Sequence, residues 1–184
     1  LPLGRLIDAH QASGLPVTLA VRSEGDAKHL ALDPTRTLVT DIRQKLGRSP
    51  GTHVFTGIYC ISPEFLEMIP PDEKISVIPA FLNLALSGKL GAVTLDEGVW
   101  MDLGDRASYL QAHRDLDLGP AIHPNATISS EAVIERSVIG PGAVLESGAV
   151  VRDSVVWPGG QIVSGARLNG CVVFSGNKVS GHHE

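Results

Sequence analysis

The sequence predicts an α/β unit built on a mixed sheet, followed by an all-β coil of short parallel strands, and three observations carry that prediction. Over residues 1–118, short apolar runs alternate with stripes at helical spacing, as strands and helices do in turn. From residue 122 to residue 174 an apolar residue returns every sixth place. The series is Ile122, Ile128 and Ile134, then, after a five-residue step, Ile139, Leu145, Val151 and Trp157, and after another, Ile162, Leu168 and Phe174. Four places beyond these anchors stand small or β-branched residues, namely Ala126, Ala132, Val138, Ala143, Ala149, Val155, Ala166 and Val172, with Gln161 and Lys178 as exceptions. A period of six fits neither a helix nor an amphipathic hairpin. It fits a coil of three flat strands per turn, each giving one inward aliphatic anchor, with about eighteen residues per turn and about three turns. Gly140, Gly142, Gly148, Gly159, Gly160, Gly165 and Gly170 are expected at its corners.

The elements of the first unit follow in order. Leu3 to Ser13 reads as a helix with Leu6, Ile7 and His10 on one stripe, stopped by Gly14 and Pro16. Val17 to Val21 is apolar almost throughout and reads as a buried strand. His29–Leu32 and Leu38–Ile42 form a hairpin turned by Asp33, Pro34 and Thr35. After a loop over 47–52, Val54 to Ile61 is a strand, and Ser62-Pro63-Glu64 starts a helix with Ser62 as its cap. Ile75 to Leu86 is a helix ended by Gly88. Ala92–Leu95 and Val99–Leu103 are short strands around Gly98. Asp105 caps a last helix, Arg106 to His113, and Gly119-Pro120 marks the join, which divides the chain into 1–118 and 119–184. The tail, Ser180 to Glu184, is expected to be disordered rather than a metal site.

Bulk properties exclude several classes. A net charge of −5 and 4% aromatic residues give no basic, aromatic surface for nucleic acid. No apolar run is long enough to span a bilayer, so no membrane partner is expected. Cys60 and Cys171 lie in apolar, strand-like surroundings without metal-ligand spacing, which points to structural thiols and a reducing cytoplasm.

The six-residue ladder resembles the hexapeptide-repeat family, which implies a left-handed parallel β-helix. Three earlier stretches resemble the sugar-1-phosphate nucleotidyltransferases, which make NDP-sugars. They are Thr56-Gly57-Ile58-Tyr59 with Ser62-Pro63-Glu64, then Ile78-Pro79-Ala80-Phe81-Leu82, then Gly98-Val99-Trp100-Met101-Asp102-Leu103-Gly104 with Tyr109-Leu110 and Ala112-His113. This resemblance, closest to the mannose-1-phosphate guanylyltransferase-like branch with a C-terminal β-helix, implies a Rossmann-like mixed sheet in the first unit. It implies that an NTP and a sugar 1-phosphate are the substrates and Mg2+ the cofactor. Asp102 is then a magnesium ligand, since a hard cation takes carboxylate oxygens. Gly57, Thr56 and Trp100 are then substrate-binding residues. Read from the residues alone, Asp102 caps a turn and Gly57 packs against a neighbouring strand.

The family's glycine-rich phosphate loop, its first metal aspartate and its Glu-Lys-Pro motif have no counterpart here; Asp41-Ile42-Arg43-Gln44-Lys45 comes nearest to the last. With Leu1 as first residue, the expectation is a C-terminal portion of a longer enzyme, inactive alone, whose N-terminal segment is a covalent or associated partner. GTP, UTP and dTTP are not separated by these residues, although the β-helix favours mannose 1-phosphate with GTP. A homo-oligomer through the β-helix would cover its strand edges. Two other readings are weighed: a hexapeptide acyltransferase with His123 as base, and a non-catalytic assembly or regulatory β-helix.

Overall fold

The computed structural model describes residues 1–25, 27–116 and 121–184, so the Gly119-Pro120 join lies outside the described residues. The chain divides into two compact units, Leu1–Trp100 and Met101–Glu184. The last helix falls in the second unit, where it packs with the coil through Tyr109 and Trp157.

In the first unit, β1 (Val17–Arg22) is the centre of a three-stranded sheet between β4 (Val54–Ile61), antiparallel to it, and β5 (Leu90–Thr94), parallel to it. Both faces of β1 are covered, which explains a run that is apolar except for Thr18. Val17, Leu19 and Val21 pack with Phe65 of α2 (Pro63–Leu66) and with Phe81 and Leu84 of α3 (Ile78–Leu86). Ala20 meets Leu6 of α1 (Leu3–Ser13) and Leu95 on the opposite side. Phe81 is fully buried, with the rings of Tyr59, Phe65 and Phe55 at 5.2, 5.7 and 6.2 Å. The hairpin of β2 (Leu30–Leu32) and β3 (Val39–Ile42) forms as expected. Asp33 holds its turn by accepting from the amides of Thr37 and Leu38 at 2.9 and 2.8 Å.

Several local expectations are corrected. On α1 only Leu6 is buried, while Ile7, a third of a turn round, is exposed. Gly14 closes that helix in the left-handed region, φ 60°. Ser62 stands at the cap position of α2, yet its hydroxyl turns away to the Leu15 carbonyl, 3.3 Å, and to His10 Nε2, 3.4 Å. The third helix starts at Ile78 rather than Ile75, where Pro79 occupies its first turn and the Ser76 hydroxyl accepts from the Ile78 amide. Residues 99–103 form no strand: Val99 is 65% exposed and the segment is held by side chains instead.

The helix of the second unit is α4 (Arg106–Asp115), capped at its N-terminus by a reciprocal capping box between Asp105 and Ser108. The coil comprises three parallel sheets. One stacks Thr127–Ile128, Val144–Leu145, Gln161–Ile162 and Lys178–Val179; another stacks Val138–Ile139, Val155–Val156 and Val172–Val173. The third runs through Val133–Glu135, Val150–Arg152 and Arg167–Asn169 to His182–His183. The tail expected to be disordered is therefore a further rung.

Equivalent residues recur every 17 places, not eighteen, up to the shorter last turn, where Arg167 pairs with His182. The five-residue step falls at the same corner of each turn, where Arg136, Asp153 and Gly170 take positive φ of 45°, 45° and 63°. The inward anchors after Val151 and Leu168 are therefore Val156 and Val173, at 1% and 4% exposure, and the anchors read as Trp157 and Phe174 point outward. Trp157 lies against α4, its indole donating to the Tyr109 hydroxyl at 3.0 Å, and Phe174, 56% exposed, abuts its edge at 5.0 Å. The corrected phase also removes the exception at Gln161. The inward position is Gly160, where a Cβ would stand 2.7 Å from Val156 Cγ1. At the short-step corner the Ser137 hydroxyl accepts from the Ser154 amide (3.0 Å) and the Ser154 hydroxyl from the Cys171 amide (2.9 Å), a polar column bonding turn to turn. Outside it, Arg136 pairs with Asp153 and Arg152 with Glu135 between adjacent turns; exposed pairs of this kind add little stability.

Cys60 and Cys171 are free, half-buried thiols. Among the described residues no helix is long and apolar enough to cross a membrane. The phase of the ladder has a direct consequence for stability. Ile162→Ala should lower the unfolding free energy of the coil by about 3 kcal/mol, whereas Phe174→Ala should change it by less than about 1 kcal/mol. Chemical denaturation followed by circular dichroism reads both, and equal losses would contradict the phase.

Candidate functional site

Three of the four residues singled out by the sequence meet at one irregularity of the sheet. Between the pairs Leu19↔Tyr59 and Val21↔Phe55, β1 contributes one residue, Ala20, and β4 contributes three, Thr56, Gly57 and Ile58. The surplus is a bulge, a device common beside active sites. Thr56 is 7% exposed, and its hydroxyl donates to the Ala20 carbonyl at 2.9 Å while accepting from the Ile58 amide at 3.2 Å. Gly57 takes φ 81°, and nothing stands within 4 Å of where a Cβ would be. The glycine is thus required by backbone conformation, and it leaves an open stretch of main chain on the surface. The packing against a neighbouring strand that residues alone suggested is not what places it there. Trp100 closes the bulge by donating its indole N–H to the Thr56 carbonyl at 3.1 Å.

Trp100 arrives by a loop pinned to the end of β1. The Arg22 guanidinium donates to the carbonyls of Asp96, Leu95 and Gly98 at 3.0, 3.1 and 3.2 Å. Asp96 answers by accepting from the Ser23 amide at 2.9 Å and hydroxyl at 2.7 Å. Burial would raise the Asp96 carboxyl, but the Ser23 bonds and the Arg22 and His53 charges hold it below the ordinary range. Arg5 pairs with Glu97 on the outer side of the same loop. Sequence reading missed Arg22, Ser23 and Asp96; an arginine at a strand end carries little signal until the loop it grips is seen.

Asp102 lies past the division, in the second unit, with an exposed side chain. It follows an unpaired segment, not the end of a strand as the sequence suggested. A Cβ at Gly104 would stand 3.4 Å from its carboxylate. Asp105 is occupied in capping α4, accepting from the Ser108 amide at 2.8 Å. Among the described residues no three or more His, Cys, Asp or Glu side chains come together as metal ligands. One carboxylate falls short of a magnesium site, which needs further oxygen ligands from other residues or from phosphates. Arg43 and Lys45 are exposed, and the segment they belong to is a turn organised by Asp41, which is buried. Burial would raise the Asp41 carboxyl, but amides of Arg48, Leu46 and Ile42 and the Arg48 charge hold it below its ordinary value. His123 opens the coil as a turn residue, its Nδ1 accepting from the Asn125 amide at 3.1 Å.

Hollows also lie elsewhere in each unit. One of about 410 Å3 is lined by Leu15, Ser62, Glu64 and Lys89, and one of about 450 Å3 by Arg106, Tyr109, Trp157 and Phe174.

Two predictions arise here. Thr56→Val should cost about 2 kcal/mol by leaving the Ala20 carbonyl and Ile58 amide unpaired. Gly57→Ala should cost about 1–2 kcal/mol through φ alone. Urea midpoints measure both, and a neutral Thr56→Val would remove the hydroxyl from the bulge. The second prediction concerns pH. His53 is 5% exposed and its Nε2 has no hydrogen-bond partner. Burial pushes the ring below its ordinary value near 6.5, Arg36 and Lys28 push the same way, and Asp96 opposes them. The folded ring therefore binds a proton less readily than the unfolded one. Its stabilising contribution is complete above about 6.5 and is lost as the pH falls below it. Denaturant midpoints should drop between about pH 7 and pH 5 and drop less in His53→Gln; equal slopes would contradict this.

The comparison with known families agrees with the geometry of the second unit. Residues 116–184 match the family model described as "GlmU-like, C-terminal hexapeptide". With the 17-residue coil, this match supports a left-handed β-helix of hexapeptide repeats as the C-terminal part of the chain.

Proposed function

We propose that this chain is part of a nucleotidyltransferase that condenses a sugar 1-phosphate with an NTP, giving an NDP-sugar and pyrophosphate. The observation that carries the reading is the Thr56-Gly57 bulge closed by Trp100. Residues 44 apart in sequence, drawn from two motifs of the nucleotidyltransferase resemblance, are joined by one hydrogen bond. That bond leaves the Gly57 main chain open on one side. In the reaction an oxygen of the sugar 1-phosphate attacks the α-phosphorus of the NTP in line, the bond to the β-phosphate breaks, and pyrophosphate leaves. Positioning and charge stabilisation supply most of such catalysis.

In this reading the open backbone at Gly57 lets the sugar ring approach where a side chain would obstruct it. Thr56 and Trp100 act on the substrate by fixing that backbone, since their polar atoms are already bonded. Asp102 supplies one carboxylate toward Mg2+, whose chemistry is to neutralise phosphate charge. Among the described residues no group of three or more His, Cys, Asp or Glu side chains stands ready to complete such a site. The GlmU-like match fits a β-helix that serves such a transferase, with homo-oligomer formation through the coil as its role. Mannose 1-phosphate with GTP is the first pair to test.

The test is pyrophosphate release by the full-length protein across NTP and sugar-1-phosphate pairs. One pair should turn over, and Asp102→Asn should lower its kcat by at least about a hundredfold while the thermal midpoint is unchanged. An unaltered rate removes Asp102 from the site. Thiol release from an acyl-CoA that His123→Ala abolishes would favour the acyltransferase reading instead.

A further inference from the structure

The end of β1 is joined to the 95–98 loop more firmly than a solvent-facing loop requires. Three carbonyl acceptors of one short loop, Leu95, Asp96 and Gly98, converge on one guanidinium, and a carboxylate from the same loop returns to the amide and hydroxyl of Ser23. Only a planar fork of several N–H donors can serve carbonyls arranged in this way; an ammonium on a flexible stem cannot hold all three together. Two residues earlier on the same strand, Ala20 accepts the Thr56 hydroxyl. Both sides of the bulge are therefore referred to one short segment, Ala20 to Ser23. The sheet side is fixed through Thr56 and the loop side through Trp100.

We infer that Arg22, backed by Asp96 and Ser23, is a positioning residue of the sugar-phosphate site: it sets the height at which Trp100 meets the Thr56 carbonyl, and so the orientation of the Gly57 backbone. This rests on the function proposed above, but its geometric half is independent of it. Arg22 touches no substrate in this scheme. It acts through the 95–98 loop, and a displacement of the order of an ångström in a group that aligns a substrate is costly to rate or affinity.

The geometric half is read from fluorescence. The chain has two tryptophans, Trp100 and Trp157, so Trp157→Phe leaves Trp100 as the single reporter. In that background Arg22→Lys and Arg22→Ala should shift Trp100 emission to longer wavelength and raise its quenching by acrylamide, with Lys failing to restore the parent spectrum. Asp96→Asn, which keeps Arg22, should give a smaller shift in the same direction. The functional half is read on the full-length protein without the Trp157 change. Arg22→Lys should raise KM for the sugar 1-phosphate by about tenfold while kcat changes less than about twofold, and KM for the NTP should stay constant.

Circular dichroism and the thermal midpoint identify any variant that fails to fold. Should Arg22→Ala do so, Arg22→Lys and Asp96→Asn decide the question. An unshifted Trp100 spectrum in all folded variants overturns the positioning role. A shifted spectrum with an unchanged sugar-phosphate KM overturns its bearing on substrate and leaves Arg22 a structural clamp. Absence of turnover by the unaltered protein with every sugar 1-phosphate overturns the proposed function, while the fluorescence result still decides whether Arg22 sets Trp100.

Discussion

Buried backbone polar groups need partners, and at Ala20 that requirement organises the first unit. Three residues of β4 face one of β1 between the paired registers, so the ladder alone cannot serve Ala20, Thr56 and Ile58. The Thr56 hydroxyl answers two of these groups and the Trp100 indole answers the third. From this follow the positive φ of Gly57, the approach of the loop that delivers Trp100, and the use of Arg22 to keep that loop in place. Replacing any of these residues by one of similar size but different hydrogen-bonding capacity changes the problem the others solve.

The second unit answers a different constraint. A parallel coil pairs each strand with the one a turn above, so inward residues must return at matching places from turn to turn. The 17-residue repeat, with its short step always at the Arg136, Asp153 and Gly170 corner, meets that condition. The hydroxyl column of Ser137 and Ser154 joins neighbouring turns at the same corner, where backbone amides would otherwise lack partners.

Much of this was legible in the residues. The helix Leu3–Ser13, the buried strand from Val17, the hairpin and the capped helix after Asp105 follow from periodicity and turn chemistry. The coil follows from its period. Its phase did not, because Val156-Trp157 and Val173-Phe174 each offer two adjacent apolar residues, and only the packing of Trp157 on Tyr109 decides between them. Val99–Leu103 read as a strand because it is apolar, yet its neighbours are held by side chains rather than by a ladder. Around the bulge, Thr56, Gly57 and Trp100 were legible as motif residues, though not their meeting, whereas the Arg22 clamp depends on three carbonyls that have no sequence signature. Asp102 was legible only as a resemblance, and its exposed setting adds no second carboxylate to it.

In the proposed function the open backbone at Gly57 is the wall on which a sugar 1-phosphate rests. Amide chemical-shift mapping of the isotopically labelled protein, titrated with mannose 1-phosphate and with inorganic phosphate in parallel, tests it most directly. Saturable shifts are expected at the Gly57 and Ile58 amides and the Trp100 indole with the sugar phosphate, and weaker ones with phosphate alone. Resonances that stay fixed at those three groups while amides of the β-helix respond would contradict it.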